Sequence, residues 1–439
     1  MFIKLINYLT NNLKYVILIY VAIQLLLVFF LPIEYSSDSA RYFNLAQDCL
    51  QANSFYPASQ HLYSYYILAP LFLNVLVVLL KISNTIFIIS IFNLLLNSLQ
   101  LFLIYKLSVK IFNRKVAAIT VLLYIFYLNN LGFVVSNYTE LFYGVLVLAA
   151  LIFYIRKGNL NYFICGLLIG ASISVKPVGF TLILAFILFY VYNKLKLNKS
   201  YPVIWIISGV ITFISVFGLF NQLHFGRFII TASTGPINII MGANDNATGG
   251  YKDEVFKPGN EGYLANGDSM TYAETNDFFW EKSLDWITSH PLRWLGLMPM
   301  KLVHTFIWDD ITLSNLLDTG DWDFAKVVKY LWIDKSIKNI LPNASLTKKI
   351  LFFTVEGIHL IYYYILMSLS ILGIIIYRKN ILKREIVPII FLYVVFGIVM
   401  IFLVVGNVRF KYPYLIILLP FAANYIYQIT ERVKNKDIT

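Results

Sequence analysis

The chain has 439 residues, 59% of them hydrophobic and 13% charged, with a mean hydropathy of +0.72. That balance excludes an ordinary soluble domain and predicts an all-α polytopic membrane protein, because apolar runs about 20 residues long, enough for a helix to cross a bilayer, recur from Tyr15 onward. Much of the excess of basic residues behind the net charge of +12 sits in short clusters between those runs, which reads as membrane topology and gives no reason to invoke nucleic acid.

In chain order, the first apolar run, 15–31, has basic residues ahead of it and ends in Leu31-Pro32-Ile33-Glu34 without a small-residue cleavage pattern, so it is expected to be an uncleaved anchor. Further spans are expected at 85–105, 116–132, 140–155, 162–176, 178–193, 201–223, 350–376, 386–405 and 413–428, about ten crossings in all. The runs do not alternate as barrel strands would. Basic clusters follow at Lys106, Lys110, Arg114 and Lys115; at Arg156 and Lys157; at Lys194, Lys196 and Lys199; at Arg378, Lys379, Lys383 and Arg384; and at Arg432, Lys434 and Lys436. One orientation puts every cluster, with Lys4 and Lys14, in the cytoplasm, and both termini with them. The apolar run 63–82 then cannot cross, since an extra span would move the Lys106 cluster outside. With Pro70 inside it and Lys81 near its end, it reads as an interfacial or re-entrant helix on the outer face, and 294–308 is read likewise. The expected organisation is a transmembrane module over 1–223 with a first outer loop at 34–84, an outer region at 224–349, and C-terminal spans with a cytoplasmic tail at 350–439. Cys49 and Cys165 are far apart and have no metal or redox spacing, so they read as apolar fillers.

The orientation places two acids on the same outer side. Asp38 follows Ser36-Ser37 and begins a helical stretch in which Asp38, Tyr42 and Leu45 fall on one side. An acid there can take a proton from a hydroxyl nucleophile or hold a divalent metal such as Mg or Mn, and it can also simply cap the helix. Glu140 opens a span with no basic neighbour in sequence; it can be a second metal ligand, orient a substrate, or complement a helix dipole. Lys176, before Pro177, and Arg409 and Lys411, in the short turn Gly406-Asn-Val-Arg-Phe-Lys-Tyr-Pro413, are cations on the side that topology disfavours. Basic groups at headgroup depth suit a phosphate, although they can also snorkel to the interface. His61 is a further candidate, against the commoner structural role of a lone histidine. The long outer segment carries fifteen of the chain's twenty-three acids, among them Asp309, Asp310, Asp318, Asp321 and Asp323, and a turn-rich patch, GANDNATGGY, from Gly242 to Tyr251. Asp321-Trp322-Asp323 resembles the Asp-x-Asp of nucleotide-sugar enzymes but lacks any accompanying phosphate loop, and is read with Asp309-Asp310 as turn and cap chemistry.

Taken together, these segments resemble the GT-C membrane glycosyltransferases, the broad group that includes protein mannosyltransferases of glycosyltransferase family 39 and bacterial aminoarabinose and Rgt-type transferases. Asp38-Ser-Ala-Arg-Tyr42 is similar to the family's first-loop acid followed by an aromatic. His61-Leu-Tyr and Ala69-Pro-Leu71 are similar to its His-Pro-Pro-Leu segment and interfacial helices, and Glu140 stands at its second outer acid. Ser174-Val-Lys-Pro177, Ser289-His-Pro-Leu-Arg293 and Arg409-Phe-Lys-Tyr-Pro413 resemble its basic-Pro, His-Pro and Arg-Tyr-x-x-Pro elements. The chain departs from the pattern in that His61 is not followed by Pro-Pro, Asp38 has no adjacent Glu, and Lys176 replaces an Arg.

The resemblance implies a multi-pass plasma (inner) membrane enzyme that moves a sugar, with inversion, from a polyprenyl-phosphate donor to a cell-envelope glycan, lipid or protein at the outer leaflet. Asp38 would be the general base, Glu140 would support it directly or through a metal, and Lys176, Arg409 or Lys411 would meet the donor phosphate, with Tyr42 and His61 beside the substrate. Two other readings remain open. An O-antigen-type polymerase would lean on outer-loop arginines, whereas this loop is rich in acids. A transporter or flippase would show mid-membrane charges and related halves, which the sequence lacks.

Overall fold

The computed structural model describes residues 2–31, 33, 35, 37–197, 203–317, 319, 341 and 344–436. Glu34, Ser36, Asp318 and the Asp321-Trp322-Asp323 triplet lie outside the described residues. The described chain is helical, without a named strand among the described residues; its one isolated bridge joins Gly250 to Gly406.

The elements are α1 (Phe2–Phe30), α2 (Ser37–Gln51), α3 (Pro70–Ile82), α4 (Ile86–Ile111), α5 (Arg114–Ile125), α6 (Asn129–Gly132), α7 (Thr139–Arg156), α8 (Asn159–Val175), α9 (Phe180–Leu197), α10 (Val203–Phe225), α11 (Gly235–Met241), α12 (Tyr272–Ser289), α13 (Pro291–Phe306), α14 (Leu313–Leu316), α15 (Leu346–Tyr377), α16 (Ile386–Leu403) and α17 (Tyr412–Lys436). Among the described residues, seven helices are long and apolar enough to cross a membrane, or eight if α5 and the segment Asn129–Val135, bent by 64° from it, form one broken span. Helices stand at all ten expected positions. The two beyond the eight are α8, with 17 residues, and α17, which contains Pro420 and ends in charged residues. The protein is thus a multi-pass membrane protein.

Helix α3 has 13 residues and is about 20 Å long at 1.5 Å per residue, short of the roughly 30 Å of a bilayer core. Pro70 occupies its first turn, where a missing N–H costs nothing, and Phe72, Leu73, Leu76, Val77 and Leu80 are buried. In α13 the exposed residues Leu292, Leu295, Pro299, Val303 and Ile307 repeat at helical spacing around its outer side and just past its end, while Lys301 and Thr305 face inward. An apolar stripe turned outward with a lysine turned inward is the pattern of a helix bathed in lipid and packed on protein polar groups.

Two contacts set the frame for the site. Helix α8 packs on α10 at Gly166 and Gly209, where an added Cβ would fall 2.1 Å from the Ile206 carbonyl oxygen or 2.2 Å from that of Phe163. Without side chains at these positions the backbones meet directly, as small residues allow in membrane helices. The loop before α7 is tied down by Asn93 of α4, which donates to the Ser136 carbonyl at 2.6 Å, and by Asn315, which donates to the Ser136 hydroxyl at 2.8 Å.

Candidate active site

Helices α7 and α8 are joined by a short turn and run antiparallel, so Glu140 in the first turn of α7 and Lys176 just beyond α8 lie at the same end of the bundle. The turn between α16 and α17 brings Arg409 to that end, and the start of α2 brings Asp38. Four charged residues distant in sequence therefore meet. Lys176 Nζ donates to Glu140 Oε1 at 2.7 Å. Arg409 lies between the two acids, with Nη2 at 2.5 Å from Asp38 Oδ2 and Nε at 3.8 Å from Glu140 Oε1. Asp38 and Glu140 thus communicate through a guanidinium, two anions balanced by two cations.

The four differ in exposure, and the order is informative. The Glu140 side chain is 1% exposed, Lys176 20%, Arg409 23% and Asp38 40%. Glu140 is the floor and Asp38 the mouth, the place where a hydroxyl from solvent can arrive. Burial works against the charge of Arg409, but the Glu140 and Asp38 carboxylates hold it above its ordinary value. Its guanidinium lies 5.2 Å from the centre of the Tyr138 ring, a cation–π contact. Tyr42 is buried beside Thr139 and the charged group, and burial pushes its phenol up, so it stays neutral. The Thr139 hydroxyl donates to Glu140 Oε2 at 3.3 Å. Ser39 accepts from the Asn137 backbone N–H at 3.1 Å, which ties α2 to the start of α7 and sets Asp38 against Arg409.

Two expected site residues are elsewhere. His61 Nδ1 accepts the Ala58 backbone N–H at 2.9 Å, and its ring lies on Tyr56 with centroids 4.8 Å apart. Burial lowers its pKa. It closes a local turn. Lys411 faces away from Arg409 and is buried against Asp309 at 3.1 Å. In a tight 3₁₀ turn, residues two apart point to different sides, so Arg409 and Lys411 do not face the same neighbours. Sequence reasoning missed this network: Asp309 also accepts from the Tyr127 hydroxyl at 3.0 Å and lies 3.1 Å from His359 Nε2. The available signal was His359, with Glu356 one turn before it, in the largely apolar α15. Tyr138 was also missed.

The donor set does not fit a resident divalent ion as arranged. Both carboxylates are spent on cations, and no cluster of three or more His, Cys, Asp or Glu side chains suited to a metal occurs among the described residues.

A family model for dolichyl-phosphate-mannose-protein mannosyltransferases matches residues 68–219, about a third of the chain, including Glu140 and Lys176. The fold is similar to the Archaeoglobus fulgidus oligosaccharyltransferase in its apo form, with a TM-score of 0.51 and 12% identity over 97% of this chain. The chain has a GT-C-type fold. The chain is also similar to the same Archaeoglobus enzyme tethered to an acceptor peptide containing the NVT sequon (TM-score 0.50, 13% identity, 95% of this chain). A third similar structure is that organism's oligosaccharyltransferase AglB with an inhibitory peptide and a dolichol-phosphate (TM-score 0.50, 12% identity, 97% of this chain). The chain spans about half the length of these structures, 51%, 50% and 52%. No curated protein matches it.

Proposed function

We propose that the protein transfers a sugar from a polyprenyl-phosphate donor to a hydroxyl of a cell-envelope glycan, lipid or protein at the outer leaflet of the plasma membrane, with inversion. The observation that carries the reading is the Asp38–Arg409–Glu140–Lys176 arrangement, which sets a half-exposed carboxylate beside two cations at one end of a helix bundle. The basic clusters lie between spans so as to put this end outside and both termini inside. The three-part organisation read from the sequence, 1–223, 224–349 and 350–439, serves the same reading: the first and last parts supply the four charged groups, and described residues of the middle part pack against the turn that carries Arg409.

The chemistry follows from the exposures. The donor phosphate displaces Asp38 from Arg409 and is held by Arg409 and Lys176, which Glu140 keeps in place from below. The freed Asp38 accepts the proton of the acceptor hydroxyl as its oxygen bonds to the anomeric carbon. The bond from that carbon to the phosphate oxygen breaks on the opposite face, and its electrons leave on polyprenyl phosphate. The two cations stabilise that charge as it develops, so the leaving group needs no proton. Tyr42 and Tyr138 wall the site.

Purified protein is tested for release of polyprenyl phosphate from a panel of polyprenyl-phosphate sugars in the presence of extracted envelope acceptors. Turnover that depends on Asp38 supports the reading; no turnover by well-folded protein over a broad panel overturns it.

A further inference from the structure

The turn that carries Arg409 is held by α13 at both ends. At its start, Lys301 of α13, 0% exposed, donates from Nζ to the Phe402 carbonyl oxygen at 2.9 Å. That carbonyl is one of those at the C-terminus of α16 left without a partner inside the helix, where a cation is favoured. At the end of the turn, Lys411 reaches back the other way. Its Nζ donates to the Thr305 carbonyl oxygen at 3.1 Å and to that of Trp308, and pairs with Asp309 at 3.1 Å. Asp309 is fixed in turn by Tyr127, His359 and Asn129, the last donating to its carbonyl oxygen at 2.9 Å. Between the lysines, the Gly406 N–H donates to the Gly249 carbonyl oxygen at 2.8 Å, and a Cβ on Gly406 would fall 2.3 Å from the Lys301 carbonyl oxygen. The glycine-rich patch at 242–251 thus lies against the same turn. Two buried cations are costly unless their donors and charges find partners, and the partners of these two tie one short segment to α13.

We propose that Lys301 and Lys411 are positioning residues that clamp the 404–411 turn to α13 and so aim Arg409 at the donor phosphate. The proposal rests on reading Arg409 as a phosphate ligand. A misplacement of about 1 Å at such a ligand can cost up to about a hundredfold in rate. The effect of loosening the clamp must pass through Arg409 and vanish where Arg409 is absent.

The test uses full-length protein and two variants: Lys301→Met, and the double variant Lys411→Met with Asp309→Asn, which removes both charges of that pair together. Donor and acceptor KM and kcat are measured on the monodisperse fraction, alone and in an Arg409→Ala background. We expect donor KM to rise about tenfold with acceptor KM unchanged, and no further rise when Arg409 is already alanine. An equal rise in both backgrounds, or a loss of yield with kinetics unchanged, overturns the proposal and leaves a merely structural role. Labelling of Arg409 by phenylglyoxal, read by mass spectrometry, needs no substrate. It should quicken several-fold in both variants, and an unchanged rate overturns the proposal even if no donor is turned over. In that last case the failure of turnover belongs to the transferase reading and the labelling result to the clamp.

Discussion

Replacing Asp38 by Asn should separate two roles that the wild-type residue combines. The carboxylate is the base, and it is also the anion that occupies Arg409 before the donor arrives. Loss of a positioned base costs about 10²–10⁴ in rate, so transfer should fall by at least that lower figure. The ion pair that competes with the phosphate would disappear at the same time. Two unit charges about 4 Å apart interact by about 4 kcal/mol at an effective dielectric of 20. Asp38 is 40% exposed and Arg409 23%, so solvent screening brings this down to about 1 kcal/mol. That corresponds to about fivefold tighter binding of a phosphate. The assay is equilibrium binding of decaprenyl phosphate to purified wild type and Asp38→Asn in the same detergent. An inactive variant that binds the lipid phosphate more tightly fits the exchange. A folded variant that binds it more weakly, or that still transfers sugar, refutes it.

Four further outcomes are expected. Glu140→Gln leaves the part-buried Lys176 without its carboxylate at a cost of about 3 kcal/mol, the lower end for a broken buried pair, seen as a lower melting temperature, and adding Lys176→Met should restore the stability without the activity. Arg409→Lys keeps the charge but cannot span Asp38 and Glu140 with two nitrogens, so kcat/KM for the donor should drop by at least about tenfold in steady-state assays. Incubation with EDTA should leave transfer intact, since the cations Arg409 and Lys176 already balance both acids; loss of activity restored by Mg or Mn would reinstate a metal at Asp38 and Glu140. Burial lowers the His61 pKa below its ordinary 6.5, so the unfolded chain takes up that proton first, and the contribution of the neutral ring is present above pH 6.5 and lost as the pH falls through the folded value. His61→Asn keeps an acceptor for the Ala58 N–H without the titration, and melting curves between pH 5 and 7 should show less acid sensitivity and unchanged transfer.

The comparison between chain and structure is sharpest at the turn Gly406-Asn-Val-Arg-Phe-Lys-Tyr-Pro413. Position in the sequence marks Arg409 and Lys411 alike as cations on the wrong side of the membrane. The fold separates them: one meets Asp38 and Glu140, and the other is consumed by Asp309. Nothing in a run of letters states which way a residue in a 3₁₀ turn points. His61 is similar, since the turn it closes at Ala58 is a local bond that its neighbours in sequence do not announce.

The sequence by itself determined the membrane class, the helices at ten expected positions and the candidacy of Asp38, Glu140, Tyr42, Lys176 and Arg409. Hydrophobic length and the cost of isolated charge in lipid act residue by residue, so they can be read locally. Tertiary structure decided which charges pair, that a guanidinium joins the two acids, and that two lysines of opposite ends grip one turn. Those outcomes depend on close approaches such as Gly166 to Gly209 and on the packing of α13 across the α16–α17 turn. Distances between segments hundreds of residues apart are set by the whole packed bundle and by no single stretch of chain.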